Sequence, residues 1–117
     1  MNHGALHRET GECLLPRVWR TTNALDRMRG LLGRPSLQSG EGLLIDRCAA
    51  VHTFGMRYRI DVAFLDARGV VRKLVPHLAP RRMAGCRGAR MTLEMSAGSI
   101  QRLGLREGLS LQWHEAA

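Results

Sequence analysis

His52 and Asp61 are the two side chains whose types and surroundings could support proton chemistry in this chain. His52 lies in Val51-His52-Thr53-Phe54-Gly55-Met56-Arg57. Neutral imidazole can act there as a base, a hydrogen-bond donor or a metal ligand. No glutamate or second histidine stands near it at ligand spacing, so a structural histidine bonded to a backbone carbonyl competes with each of those roles. Asp61 falls between Ile60 and Val62, where a charge is costly unless it is paired. Arg29, Arg57 or Arg59 would supply a bidentate guanidinium and make Asp61 an anchor between strand and helix. Alternatively, Asp61, His52 and an arginine converge on an open cleft. A hydrolase-like use of the pair requires both to be solvent-accessible and within hydrogen-bond reach of one another.

Three of the chain's aromatic residues, Phe54, Tyr58 and Phe64, share the stretch Val51 to Gly69 with those titratable groups. Large apolar side chains beside a few polar ones are what a ligand pocket presents. His52, Phe54, Met56, Arg57 and Asp61 are therefore the candidate binding set, with a small polar or anionic ligand, or a peptide, as partner. Phe54 and Met56 serve equally well as core filler. The chain carries no Gly-x-Ser-x-Gly, His-Glu-x-x-His, phosphate-binding glycine loop or dinucleotide fingerprint. The sequence thus reads as a small non-enzymatic binding or accessory module, with no cofactor or metal called for. Cys13, Cys48 and Cys86 are odd in number and far apart, without zinc or redox spacing, and are expected to pack as small buried or half-buried apolar residues.

The net charge is +8, from 18 basic residues of which only Lys73 is lysine. A basic surface attracts nucleic acid, which gives the alternative function. The arginines are scattered, however, with doublets only at Arg72-Lys73 and Arg81-Arg82 and no aromatic-rich RNA-binding strand, so the distribution points away from nucleic acid. No apolar run approaches a membrane span, and the first residues lack the apolar core of a secretory signal, which makes the cytoplasm the expected compartment.

The elements that must position these groups follow from periodicity. Residues 1–12 are polar and without period, and are expected to be poorly ordered; 13–115 form a single domain. Leu14 to Arg20 reads as a strand, placed at an edge by Pro16. Asn23 caps a first helix whose stripe Leu25, Met28 and Leu32 faces the core, with Gly33 and Pro35 ending it. Leu43 to Ile45 and Ala49 to Thr53 are short strands. Ile60 to Leu65 and Val70 to Val75 form a hairpin around Asp66-Ala67-Arg68-Gly69, with Ile60, Val62 and Phe64 on one strand face and Asp61, Ala63 and Leu65 on the other. Pro76 to Gly88 is expected to be a long surface loop, a natural flap over the binding set. Ala89 to Met95 alternates as a half-buried strand with Glu94 on its polar face. Ser96 caps a second helix, which Gly104 ends, and a last strand carries Leu109, Leu111 and Trp113. The fold class is therefore α+β: one small domain with a mainly antiparallel, curved or barrel-like sheet and two short helices.

Several ordered segments resemble the domain of unknown function 192 family. They are Arg29-Gly30-Leu31-Leu32-Gly33-Arg34, Glu41-Gly42-Leu43-Leu44-Ile45, His52-Thr53-Phe54-Gly55-Met56-Arg57, Ile60-Asp61-Val62-Ala63-Phe64-Leu65-Asp66, Leu93-Glu94-Met95-Ser96-Ala97-Gly98 and the end around Glu107-Gly108. Arg59 and Ser96 stand where the family often has proline. The resemblance implies the same α+β fold and carries no activity with it.

Overall fold

A seven-stranded mixed sheet organises the computed structural model, which describes residues 1–117. In chain order the elements are β1 (Asn2–Arg8), β2 (Cys13–Arg20), α1 (Ala24–Arg29), β3 (Glu41–Asp46), β4 (Ala50–His52), β5 (Ile60–Leu65), β6 (Val71–Leu78), β7 (Met83–Gly85), β8 (Met91–Ser96), α2 (Ser99–Leu103) and β9 (Leu111–Glu115). The sheet order is β6-β5-β8-β3-β2-β1-β9, and β4 pairs with β7 in a separate small sheet. Every pairing is antiparallel except β2 with β3, which α1 connects as a crossover. Backbone bonds from Val71 N to Leu109 O and from Leu111 N to Gly69 O bring the two edges together at one end. The sheet is curved and not closed into a barrel. No helix is long and apolar enough to cross a membrane.

The three middle strands β5, β8 and β3 are buried on both faces, which is why they carry so few polar residues. One face holds Leu44, Ala63, Leu65, Leu93 and Met95 against Leu6, Leu15, Val18 and Leu111. The other holds Leu43, Ile45, Ile60, Val62 and Phe64 against Leu31, Leu78 and Ala89. Val51, Met56, Tyr58 and Ala84 also pack on this second face. The alternation expected in β5, with Ile60, Val62 and Phe64 opposite Ala63 and Leu65, is the one observed. The hairpin also holds: Asp66 Oδ1 accepts from Arg68 N and Val70 N, and Gly69 turns the chain at φ 83.

Asp61 faces the first layer and is fully buried, but no arginine reaches it. Its Oδ1 accepts from His77 N at 2.9 Å and its Oδ2 from Ile100 N at 2.9 Å. The register of β5 on β6 shifts between Ile60 and Val62, so Pro76 and His77 bulge opposite Asp61, and His77 adopts φ 50. Its amide is thereby aimed at the carboxyl. Ile100 lies in the first turn of α2, whose N-cap is Gly98 and has no side-chain cap. Asp61 therefore caps α2 from a distant strand, the role the sequence reading gave to Ser96. Of the arginines named as partners, Arg29 donates to Leu32 O and Gly33 O, and Arg59 to His77 O, whereas Arg57 is exposed with no such bond.

Other expectations change for identifiable reasons. Residues 2–8, expected to be poorly ordered, form β1 between β2 and β9; Gly4 is required there because a Cβ would lie 2.7 Å from the Trp113 ring. β2 is interior rather than an edge, and Pro16 is tolerated because it sits at a register shift against β1 and just before the ladder to β3 begins. The Pro76–Gly88 segment is not one long loop, since β6 runs through Pro76 and β7 pairs with β4. The stripe of α1 is outward: Leu25 is 73% and Met28 77% exposed, and only Leu31, beyond the cap at Gly30, is buried. Cys13 is exposed, while Cys48 and Cys86 are half-buried.

Replacing Asp61 by alanine would leave two buried amides without an acceptor. At about 1–3 kcal/mol for each unmet group, urea denaturation should show a loss on the order of 3 kcal/mol, and a smaller loss for Asp61→Asn, which keeps one acceptor oxygen. Equal stability of Asp61→Ala and the parent chain would contradict the capping role.

Candidate functional site

The second sheet face is where polar groups and cavities meet. Here the segment Gly30 to Arg34 crosses above β3 and β8, and its shape is set by its own arginines. Arg29 Nε donates to Leu32 O at 2.9 Å and Arg34 Nε to Gly30 O at 2.7 Å. Glycines at φ 53 (Gly30) and φ 70 (Gly33) allow the turns. Leu32 then packs on Gly55, where a Cβ would come within 3.0 Å of it. The run of arginine, glycine and leucine is thus a self-tied strap.

The opposing wall is β4 and the turn after it. Thr53, fully buried, fixes this wall. Its hydroxyl donates to Ala79 O at 2.6 Å and accepts from Arg82 N at 2.9 Å, and its amide donates to Arg82 O at 2.9 Å. The sequence reading passed over Thr53; its only signal was a threonine inside an otherwise apolar or exposed motif. His52 is exposed, accepts weakly from Phe54 N at 3.3 Å through Nδ1, and lies beside the Phe54 ring at 5.6 Å between centroids.

Two cavities open between strap and wall. One, about 350 Å³, is lined by Met28, Gly30, Leu31, Val51, His52 and Met56, with Glu94 at its floor. The other, about 410 Å³, shares Leu31, Leu32 and Met56 with the first and includes Arg34, Arg57 and Tyr58. Of the five candidate residues, His52 and Met56 share the first cavity, and Met56 and Arg57 the second. Phe54 sits outside both, half-exposed, and Asp61 lies on the opposite sheet face with both carboxyl oxygens engaged. The structure does not bring His52 and Asp61 together, and Asp61 lacks the accessibility that a hydrolase-like pair needs.

Glu94 is the residue that sequence reasoning misplaced. It was assigned to a solvated strand face, yet it is only 3% exposed. The reason is topological. β8 lies between β3 and β5, so Glu94 pairs in register with Leu43 on one side and Val62 on the other, beneath the strap. Burial pushes its carboxyl up to about 7, with no charged or hydrogen-bonding partner to offset that cost. Gly30 passes directly over it, where a Cβ would sit 3.6 Å from Oε1. Nearby, burial first, and then the Glu94 charge, push the Tyr58 phenol up, against a weaker opposing contact with Ser36. A carboxyl poised to exchange a proton near neutrality, in a cavity, is a chemically distinctive group.

The linkage has a definite sign. Below pH 4.5 Glu94 is protonated whether folded or unfolded; between 4.5 and about 7 the unfolded chain releases its proton first. Stability should therefore fall as pH rises through that window, by an amount on the order of 3 kcal/mol, and level off above it. In Glu94→Gln the fall should disappear: the neutral amide resembles the protonated carboxyl, so the denaturation midpoints of the two chains should lie close together near pH 4.5 and separate as pH rises to about 7, the parent falling below the variant. Parallel profiles would show that Glu94 is not buried as described.

Two solved structures share this architecture. A protein from Sinorhizobium meliloti 1021, described as a "putative transcription regulator", superposes with a TM-score of 0.81 at 22% identity, over 96% of this chain and 92% of that one. A protein of unknown function from Novosphingobium aromaticivorans DSM 12444 gives a TM-score of 0.76 at 20% identity, over 95% of this chain and 84% of its own. At such identities the likeness is one of fold. No curated protein matches the chain. The profile of the DUF192 family, whose description is "Uncharacterized ACR", matches residues 6–113, and the chain belongs to that family.

Proposed function

Starting from that membership, we propose that this chain is a small non-enzymatic binding module whose ligand enters between the Gly30–Arg34 strap and the His52–Arg57 wall. One observation carries this reading: Glu94 lies buried and without a partner at the floor of a cavity of about 350 Å³. A carboxyl so largely withdrawn from water makes stronger hydrogen bonds to a ligand than it would in bulk solvent. Leu31, Val51, Met28 and Met56 supply apolar walls, and the two methionines adapt readily to ligand shape. The fitting ligand is small, with an apolar body and a polar acceptor that meets protonated Glu94. Any anionic end would face His52 and the lining arginines Arg27 and Arg29. Asp61, closed off by two amides, takes no part in binding and forms no pair with His52.

A second reading, association with nucleic acid, draws on the +8 charge and on the description of the Sinorhizobium meliloti neighbour. It would require an affinity that drops steeply with salt.

A small-molecule screen read by amide and methionine-methyl NMR shifts tests the groove. Hits are expected to move Met28, Leu31, His52 and Met56 together, and to bind at least about tenfold more weakly to Glu94→Leu, which removes the donor while keeping much of the side-chain volume. Hits that map consistently elsewhere would overturn the proposal.

A further inference from the structure

A different cavity lies at the carboxyl ends of the two parallel strands. β2 ends at Arg20 and β3 at Asp46, and beyond them Thr21, Thr22, Arg47 and Arg90 enclose about 430 Å³, with Arg27 of α1 on the near side. The lining is mostly polar, unlike that beneath the strap.

Its charge is unbalanced. Four guanidinium groups, Arg20, Arg27, Arg47 and Arg90, face one carboxylate, Asp46, leaving a local charge of +3 (four minus one). Arg20 is committed, donating to Asp46 through Nε at 2.7 Å and a terminal nitrogen at 2.8 Å, with its cation 5.2 Å from the Trp113 ring centre. This fork fixes one wall and holds Asp46 where it cannot neutralise the others. Arg27, Arg47 and Arg90 have neither an ion pair nor a side-chain hydrogen bond, although Asp26 adjoins Arg27 and Asp66 adjoins Ala67 of the lining. The Asp26 carboxylate is taken by the Thr22 amide and hydroxyl and the N-terminal amine, and that of Asp66 by its turn amides and Arg72. Thr21, buried at the back, accepts from Asp46 N at 3.1 Å and so keeps its hydroxyl proton available to donate.

Three unpaired guanidiniums around one concavity repel each other in the absence of an anion, and their forked donors match the oxygens of a phosphate better than a single carboxylate. A cavity of about 430 Å³ also exceeds what a bare ion needs and falls within the range of small-molecule sites. We propose that this cavity binds the phosphate group of a phosphorylated molecule, clamped by Arg27, Arg47 and Arg90 with Arg20–Asp46 as the fixed wall. The phosphate could belong to a free phosphate ester or to a nucleic-acid backbone, which present the same oxygens.

The test uses the full chain with arginine Nε–Hε NMR signals, titrated with pyrophosphate and, separately, with a short single-stranded oligonucleotide. Saturable shifts at Arg27, Arg47 and Arg90, and affinity reduced at least about tenfold in Arg47→Gln and again in Arg90→Gln, are expected. Both substituted residues are exposed, so the fold should survive their replacement. Saturation by pyrophosphate with no added footprint from the oligonucleotide supports a free ester. An oligonucleotide that displaces pyrophosphate and also shifts arginines beyond the cavity supports a nucleic-acid phosphate. Weak, unsaturable shifts spread over all arginines, unchanged by the substitutions, would overturn the site.

Discussion

A carboxyl group buried in the middle of a sheet must be matched by donors or remain a source of instability, and this fold contains both cases. Asp61 and Glu94 occupy adjacent central strands, β5 and β8, and point to opposite faces. Asp61 is met by two amides, one aimed by the bulge at His77 and one exposed by the uncapped start of α2. A single side chain thereby ties a β-hairpin to a helix more than thirty residues away, on the order of the separation between Asp61 and Ile100 in the chain. Glu94 is met by nothing on its own chain. It faces the layer where strap and wall leave cavities, and that asymmetry separates structure from candidate function.

The same contrast gives the family-like motifs physical content. Gly30 passes above Glu94, Gly55 admits Leu32, and Thr53 locks the wall to the Arg81–Arg82 turn. Much of the signature therefore builds the groove without touching a ligand. The arginines of the strap, Arg29 and Arg34, are likewise spent on backbone carbonyls, whereas the unpaired Arg27, Arg47 and Arg90 line the cavity at the carboxyl ends of the parallel strands.

The sequence made the strand periodicities and the Asp66–Gly69 hairpin legible, because local alternation and turn chemistry decide them. Pairing order lies beyond such local signals. Glu94 looked solvated because Thr92 and Glu94 alternate with Leu93 and Met95, and only the placement of β8 between β3 and β5 reveals that both faces are covered. The same blindness hid β1, whose Gly4 looks like disorder until Trp113 is laid across it, and reversed α1, whose Leu25 and Met28 match a core stripe yet point outward. Of the residues named from the aromatic and polar groups of Val51–Gly69, His52, Met56 and Arg57 line the two cavities. Asp61 was recognised as a buried charge in need of a partner, but two backbone amides fill the place given to an arginine.

The central claim is that Glu94 is a buried, unpartnered carboxyl facing an accessible groove. Its side-chain carboxyl carbon, followed by NMR across pH in the intact protein, tests this most directly. A midpoint near 7 is expected, moving when a groove ligand binds. A midpoint in the ordinary carboxylate range, unmoved by any ligand that binds the groove, would contradict it.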